Sequence, residues 1–158
     1  MILFDNHTNI KIDEEILGFL ESIANDLTKQ NIELLLVENS EITELNAAFL
    51  GKNYATDVLS FPLDFSEIKS DDNKTKMQNI DSSDFTMLGS IVISLEMAQQ
   101  VAESYNHSLK DELAILFTHG LLHLLGFNHE CDNGEHRAKE REILGKFHIK
   151  SLIERNCD

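Results

Sequence analysis

The sequence predicts an α/β or α+β domain, because short apolar runs alternate along it with longer segments of helical periodicity. Its 158 residues fit one compact domain, able to bury roughly 70% of its unfolded surface. An apolar fraction of 42% and a charged fraction of 26% are those of a soluble globular chain. Neither an internal repeat nor a linker divides it, so residues 1–158 are expected to form a single domain.

Ile2 to Phe4 form a short apolar strand candidate. From Asp13 to about Lys29, the residues Ile16, Leu17, Leu20, Ile23, Ala24 and Leu27 recur at helical spacing. Ile32 to Val37 is a continuous apolar run, short enough for a buried strand. Ser40, followed by Glu41, Thr43 and Glu44, reads as a helix start; Ile42, Leu45, Ala48 and Phe49 supply its inner face and Gly51 its stop. Val58 to Phe61 reads as a strand ended by Pro62, the only proline. Residues 64–85 are rich in Ser, Asp and Asn and are expected to form an exposed insertion or a long hairpin loop without chemistry.

Met87 to Ser94 returns to strand character, and Leu95 to about Tyr105 is helical through Met97, Ala98, Val101 and Ala102. Ser108, with Asp111 and Glu112, caps a helix from Leu109 to Leu125 that is apolar nearly all round. Such a helix is a buried one, which places His119 and His123 inside the fold. A last helix is expected from about Asn133 to His148, with Ala138, Ile143, Leu144 and Phe147 on its inner face. Four strands and five helices result.

The formal net charge is −15. Residues 132–158 carry six basic and six acidic groups, so residues 1–131 hold the whole excess, seven basic against 22 acidic. Such a surface repels nucleic acid wherever it lacks a basic patch or a bound cation. An anion is therefore expected to approach near the histidines and the Arg/Lys-bearing C-terminal segment. Cys131 and Cys157 form no CxxC motif and too few pairs for a disulfide framework, which points to a reducing compartment. The segment from Met1 to Asp5 does not look like a secretory signal, and the apolar run from Leu113 to Phe127 falls short of a membrane span. A cytoplasmic location without a membrane partner is expected.

His119, His123 and His129 fall within eleven positions, with Gly126 between the second and third. Histidines at i and i+4 share one helical face, with Cβ atoms roughly 5–6 Å apart, so two imidazoles can converge on one ion. Gly126 can take the left-handed conformation that ends a helix, after which the chain turns back and His129 offers a third nitrogen. Three imidazoles leave the fourth position of a tetrahedral zinc ion open for water, as in catalytic sites. Zinc is the default ion, and nickel and copper are compatible by ligand type. Cys131, two residues past His129, is a further donor, read as an uncoordinated thiol. Glu130, Asp132 and Glu135 are read as solvated charges at the start of the last helix.

The spacing H-x3-H-x2-G-x2-H is also that of metzincin peptidases. Those enzymes carry a glutamate directly after the first histidine as general base, and Gly120 stands here. They also have a methionine downstream, whereas Met1, Met77, Met87 and Met97 all lie upstream. The spacing is shared and the peptidase chemistry is missing.

At these positions the chain closely resembles the YbeY family of bacterial metal-dependent endoribonucleases. The family pattern H-G-x-L-H-L-x-G-(Y/F)-D-H is met at His119, Gly120, Leu122, His123, Leu124, Gly126, Phe127 and His129. Leu45 and Asn46, followed by the run from Thr56 through Asp57, Val58, Leu59, Ser60 and Phe61 to Pro62, look like the family's second block, L-N followed by T-D-V-L-S-F-P. Leu88 and Gly89, with Ile91, Val92, Ile93 and Ser94, resemble its L-G-D-I-x-I-S strand. The resemblance implies an α+β fold with a small mixed four-stranded sheet and about five helices, the zinc site lying on a buried helix and the turn after it. It implies one Zn²⁺ on His119, His123 and His129. It further implies single-strand-specific cleavage of RNA in 16S ribosomal RNA 3′-end maturation and in ribosome biogenesis and quality control. Ribosomal RNA and the small ribosomal subunit are the implied partners.

The chain departs from the family pattern at three positions. Leu50 stands where the family has an arginine able to grip a phosphate with two hydrogen bonds; Lys52 is a substitute as a point charge, and reads first as a solvated loop lysine. Ser90 and Asn128 replace aspartates, each removing a negative charge that could tune the ligands. Zinc held by neutral imidazoles can lower the pKa of its water toward ~7 for attack on a phosphodiester. Asp57 is the first carboxylate to consider as general base; in T-D-V it can equally cap a turn. Two other functions fit parts of the pattern: a ribosome-binding module with a structural metal, which Leu50 and the acidic surface encourage, and a peptidase with its base supplied from elsewhere.

Overall fold

A computed structural model of the chain describes residues 1–62, 87–127, 134–147 and 149. Its strands are β1 (Ile2–Asn6), β2 (Asn31–Val37), β3 (Val58–Pro62) and β4 (Met87–Ser94). Its helices are α1 (Glu14–Leu27), α2 (Asn39–Leu50), α3 (Leu95–Ser104), α4 (Leu109–Leu124) and α5 (Glu135–Lys146). The strands lie in the order β1-β2-β4-β3; β1, β2 and β4 are parallel, and β3 runs antiparallel to β4. The fold is therefore α+β around a four-stranded mixed sheet, with five helices among the described residues. The polar segment expected at 64–85 lies outside them.

β2 and β4 read as continuous apolar runs because both faces of the sheet are covered. Ile32, Leu34 and Leu36 of β2 and Ile91 and Ile93 of β4 face the main core, with Leu20 and Ile23 of α1, Leu95 and Ala98 of α3, Phe117 of α4 and Ile143 and Leu144 of α5. Val37, Leu59 and Val92 face the other way, onto Ile42 of α2. α4 is the central helix, packing against β3, β4, α1, α3 and α5. Ser108 Oγ accepts the Asp111 N–H at 3.1 Å, the cap that the sequence predicts. Glu112, fully buried on the next turn, is held by His107 Nε2 at 2.7 Å. That partner offsets the cost of burying a carboxylate.

α2 departs from the sequence expectation. It starts at Asn39 rather than Ser40, and its N-cap Glu38 makes no side-chain cap. The Asn39 N–H instead donates to Glu96 Oε1 of α3 at 2.9 Å, and Ser94 Oγ donates to the Asn39 side-chain oxygen. A carboxylate 57 positions away thus satisfies a terminal N–H and faces the positive end of the helix dipole. At the other end Gly51, at φ 70°, takes the left-handed conformation and stops the helix as expected.

α4 crosses the sheet at its closest approach where it has no side chain. A Cβ on Gly120 would stand 2.9 Å from Ser60 Oγ and 3.0 Å from Ile91 Cγ2. Ser60 Oγ donates to the Gly120 carbonyl at 3.1 Å. A Cβ on Gly89 of β4 would stand 2.5 Å from the Phe61 carbonyl and 2.8 Å from Leu124 Cδ2. Gly120→Ala is expected to destabilise the fold by about 1–3 kcal/mol through overpacking. Gly18→Ala, on an exposed position of α1 with nothing within 4 Å of the added methyl, is expected to stabilise it by about 0.5–1 kcal/mol. Urea midpoints of the two variants check the contrast; equal shifts would refute the close crossing.

At the end of β1, His7 donates from Nδ1 to Glu41 Oε2 and from Nε2 to Asp5 Oδ2, each at 2.8 Å. Only the imidazolium can donate from both nitrogens, so the Glu41 bond first, then the Asp5 bond, raises the His7 pKa above 6.5. A pKa raised on folding contributes stability that is complete below the unfolded value and fades as pH rises through the folded one. His7→Gln is accordingly expected to destabilise at mildly acidic pH and to be nearly neutral at alkaline pH. Denaturant titrations at the two pH values check the sign.

Candidate metal centre

The centre is built on the last turn of α4. His119 and His123 lie one turn apart, and their Nε2 atoms approach to 3.1 Å, with ring centroids 4.6 Å apart. His119 is buried and His123 is half-buried. Gly126, at φ 99°, ends the helix as expected: its N–H donates to the His123 carbonyl, and the Phe127 N–H to that of Leu122, each at 3.0 Å. A Cβ on Gly126 would meet nothing within 4 Å, so glycine is needed there for its conformation and not for space. His129, Asn128 and Cys131, together with Glu130 and Asp132, lie outside the described residues.

α5 adds a residue that the sequence reading missed. His136, on its first turn, is fully buried, with its ring centroid 4.7 Å from those of both His119 and His123. Donor atoms of the three histidines all lie within 4.8 Å of one another. Two nitrogens bound to one tetrahedral zinc at ~2.0–2.1 Å stand about 3.3 Å apart, close to the 3.1 Å between His119 and His123. Neutral imidazoles present lone pairs, and lone pairs converging in a buried space suit a cation. The residues present therefore fit a divalent metal.

Glu140, one turn after His136, faces the first of these histidines. Its Oε2 lies 3.4 Å from His119 Nδ1 and 3.8 Å from His136 Nε2. A proton on His119 Nδ1, facing the carboxylate, directs Nε2 toward His123, the arrangement by which carboxylates fix metal-binding imidazoles. The inward stripe of α5 is thus His136, Glu140, Ile143 and Leu144, while Ala138, expected inside, is exposed. Spacing carried the signal: His136 precedes Glu140 by four positions and Ile143 by seven.

The other sequence candidates sit on other elements. Asp57 is half-buried at the entrance to β3, where its carbonyl accepts the Ser94 N–H at 2.9 Å, and it does not belong to the histidine group. Lys52 follows α2, its N–H donating to the Asn46 carbonyl at 3.3 Å. Both residues flank a loop that Asn46 holds through its side-chain bond to the Tyr54 carbonyl at 2.9 Å. Leu50 is 54% exposed on the last turn of α2. Ser90, where the family's aspartate would place a charge expected to tune the ligands, pairs with Glu33 across the sheet and donates to its Oε1 at 2.8 Å. Its neighbours Gly89 and Ile91 face α4, so Ser90 faces away from the histidines.

Fold and donor set together define an α+β protein with a histidine-rich centre, fit for a divalent metal, on a buried helix. A sequence profile described as endoribonuclease YbeY matches residues 3–148. The chain is 47% identical to the endoribonuclease YbeY of Aliarcobacter butzleri, with 99% of each chain covered. It is 47% identical to that of Nautilia profundicola and 43% to that of Helicobacter pylori, both over 100% of each chain. The solution structure of TM1509 from Thermotoga maritima, 22% identical, shares the fold with a TM-score of 0.54, covering 98% of this chain and 100% of the other. The chain belongs to the endoribonuclease YbeY family.

If Glu140 orients His119, Glu140→Gln is expected to weaken zinc binding by about 10- to 100-fold while leaving the stoichiometry unchanged. Competition with a chromophoric chelator measures it, and unchanged affinity would remove Glu140 from the centre.

Proposed function

We propose that this chain is a zinc-dependent endoribonuclease that cuts single-stranded RNA in the maturation of the 16S ribosomal RNA 3′ end and in ribosome biogenesis and quality control. In this reading residues 1–158 act as one hydrolase domain in the cytoplasm, on ribosomal RNA and the small ribosomal subunit, with one zinc ion on His119, His123 and His129. The 3.1 Å approach of two Nε2 atoms at the end of a buried helix is the observation that carries it. Relatives that match over their whole length and bear the name endoribonuclease support RNA as the substrate class.

When bound, the ion supplies a water of lowered pKa and offsets charge on a phosphate oxygen. Around it, α4 holds two imidazoles at fixed separation and Glu140 sets the ring of the first. His119 faces the interior, while half-buried His123 leaves a side open to a strand of RNA. Asp57 as proton acceptor and Lys52 as phosphate contact are the proposed partners from the loop after α2. The excess of acid elsewhere confines a polyanion to the neighbourhood of the cation and of Arg137, Lys139 and Arg141 on α5.

A non-catalytic binding module is the second reading, favoured by exposed Leu50, which offers a phosphate no charge. Metal analysis is expected to find about one equivalent of zinc in the wild type and none in His123→Ala. Structured ribosomal RNA fragments are expected to be cut by the wild type and left intact by His119→Ala. Leu50→Arg is expected to raise cleavage by up to about tenfold, the equivalent of about 1.4 kcal/mol in the transition state. RNA cleavage that survives His119→Ala would overturn the enzyme reading. Histidine-dependent cleavage of casein would replace it with a peptidase.

A further inference from the structure

We propose that His136 is itself a metal ligand, binding through Nδ1 and adding a further imidazole to those of His119, His123 and His129; the proposal rests on the metal-site reading above. Three observations carry it. First, His136 is 0% exposed, and its ring centroid is 4.7 Å from each of the two α4 histidines. Second, one donor atom from each of the three lies within 4.8 Å of the others. Nitrogens sharing one zinc stand about 3.3–3.5 Å apart, so the His136 ring closes the difference by a shift of about an ångström, within reach of a small side-chain rotation. Third, Glu140 Oε2 faces one nitrogen of each of two rings, Nδ1 of His119 and Nε2 of His136.

The third observation fixes which nitrogen binds. A ligating imidazole directs its remaining N–H at a carboxylate, so the nitrogen opposite the carboxylate is the ligand. His119 then binds through Nε2, the atom already 3.1 Å from His123 Nε2. His136 binds through Nδ1. One carboxylate orients two ligands from two helices, which makes α5 part of the centre and not only packing beside it.

The test uses the full-length protein loaded with an NMR-active cadmium isotope and labelled with heavy nitrogen at histidine. Cadmium–nitrogen coupling is expected at His136 Nδ1 as well as at His119 Nε2 and His123 Nε2. His136→Gln, and His136→Leu, which fills the volume without a donor, are both expected to lose the His136 signal. Both are also expected to weaken zinc binding by about 10- to 100-fold in chelator competition. Unfolding midpoints of the metal-free variants report that the fold persists. Coupling at His119 and His123 without coupling at His136, or unchanged zinc affinity in both variants, would overturn the proposal and leave the metal-site reading standing. A wild type that binds neither cadmium nor zinc would overturn both.

Discussion

The crossing of α4 over β3 and β4 sets the position of everything else. At Gly120 the helix backbone lies so close to the sheet that an added Cβ would stand 2.9 Å from Ser60 Oγ, and the Ser60 hydroxyl donates to the Gly120 carbonyl across the gap. Three stretches that are remote in sequence meet here: the strand containing Ser60, the strand containing Gly89 and Ile91, and the helix bearing the histidines. Cores are close-packed, so a contact without slack fixes the rotation of the helix about its axis. With that rotation fixed, His119 and His123 present their Nε2 atoms on one side. The same crossing explains why a peptidase-type glutamate is absent. A side chain at position 120 would be driven between Ser60 and Ile91, into the sheet and away from the ion.

The second constraint is electrostatic. Burying imidazoles and a carboxylate together is costly unless each polar group is satisfied. α5 resolves this by facing Glu140 toward His119 and His136, and a dication among neutral imidazoles would turn the remaining lone pairs into bonds. On a chain of formal charge −15, that local reversal of sign has a second effect. A dication held there would give a polyanion a place to approach.

Much of the fold was legible in the sequence because its determinants are local. Each strand and helix announced itself by period, the ends of α4 by Ser108 and Gly126, and the paired histidines by their spacing of four. What stayed hidden depended on contacts between distant segments. The start of α2 was misplaced because its cap is Glu96, which only folding brings there. A family pattern tells which residues occur and not which face of a strand they occupy, so the partner of Ser90, Glu33 on the next strand, shows only in the fold. On the inner face of α5, Ile143 and Leu144 are buried as their spacing predicts, whereas Ala138 is exposed and the helix turns a histidine and a glutamate inward. Apolar periodicity overlooks an inner face that carries polar side chains.

That oversight bears on how the centre works. A site read from H-x3-H-x2-G-x2-H alone hangs on one helix and the turn after it, and it would tolerate changes in α5 that keep the core apolar. A centre that also engages His136 and Glu140 is clamped between two helices, each of which packs on the other through the main core. Its ligand geometry then depends on the docking of α5, whose inner face among the described residues adds Ile143 and Leu144 to the two polar residues. Because a ligand stabilises whichever state binds it, the ion and the packing of α5 reinforce each other. Loss of metal should therefore loosen α5 before it disturbs the sheet, whose strands are held by their own ladders and by α4.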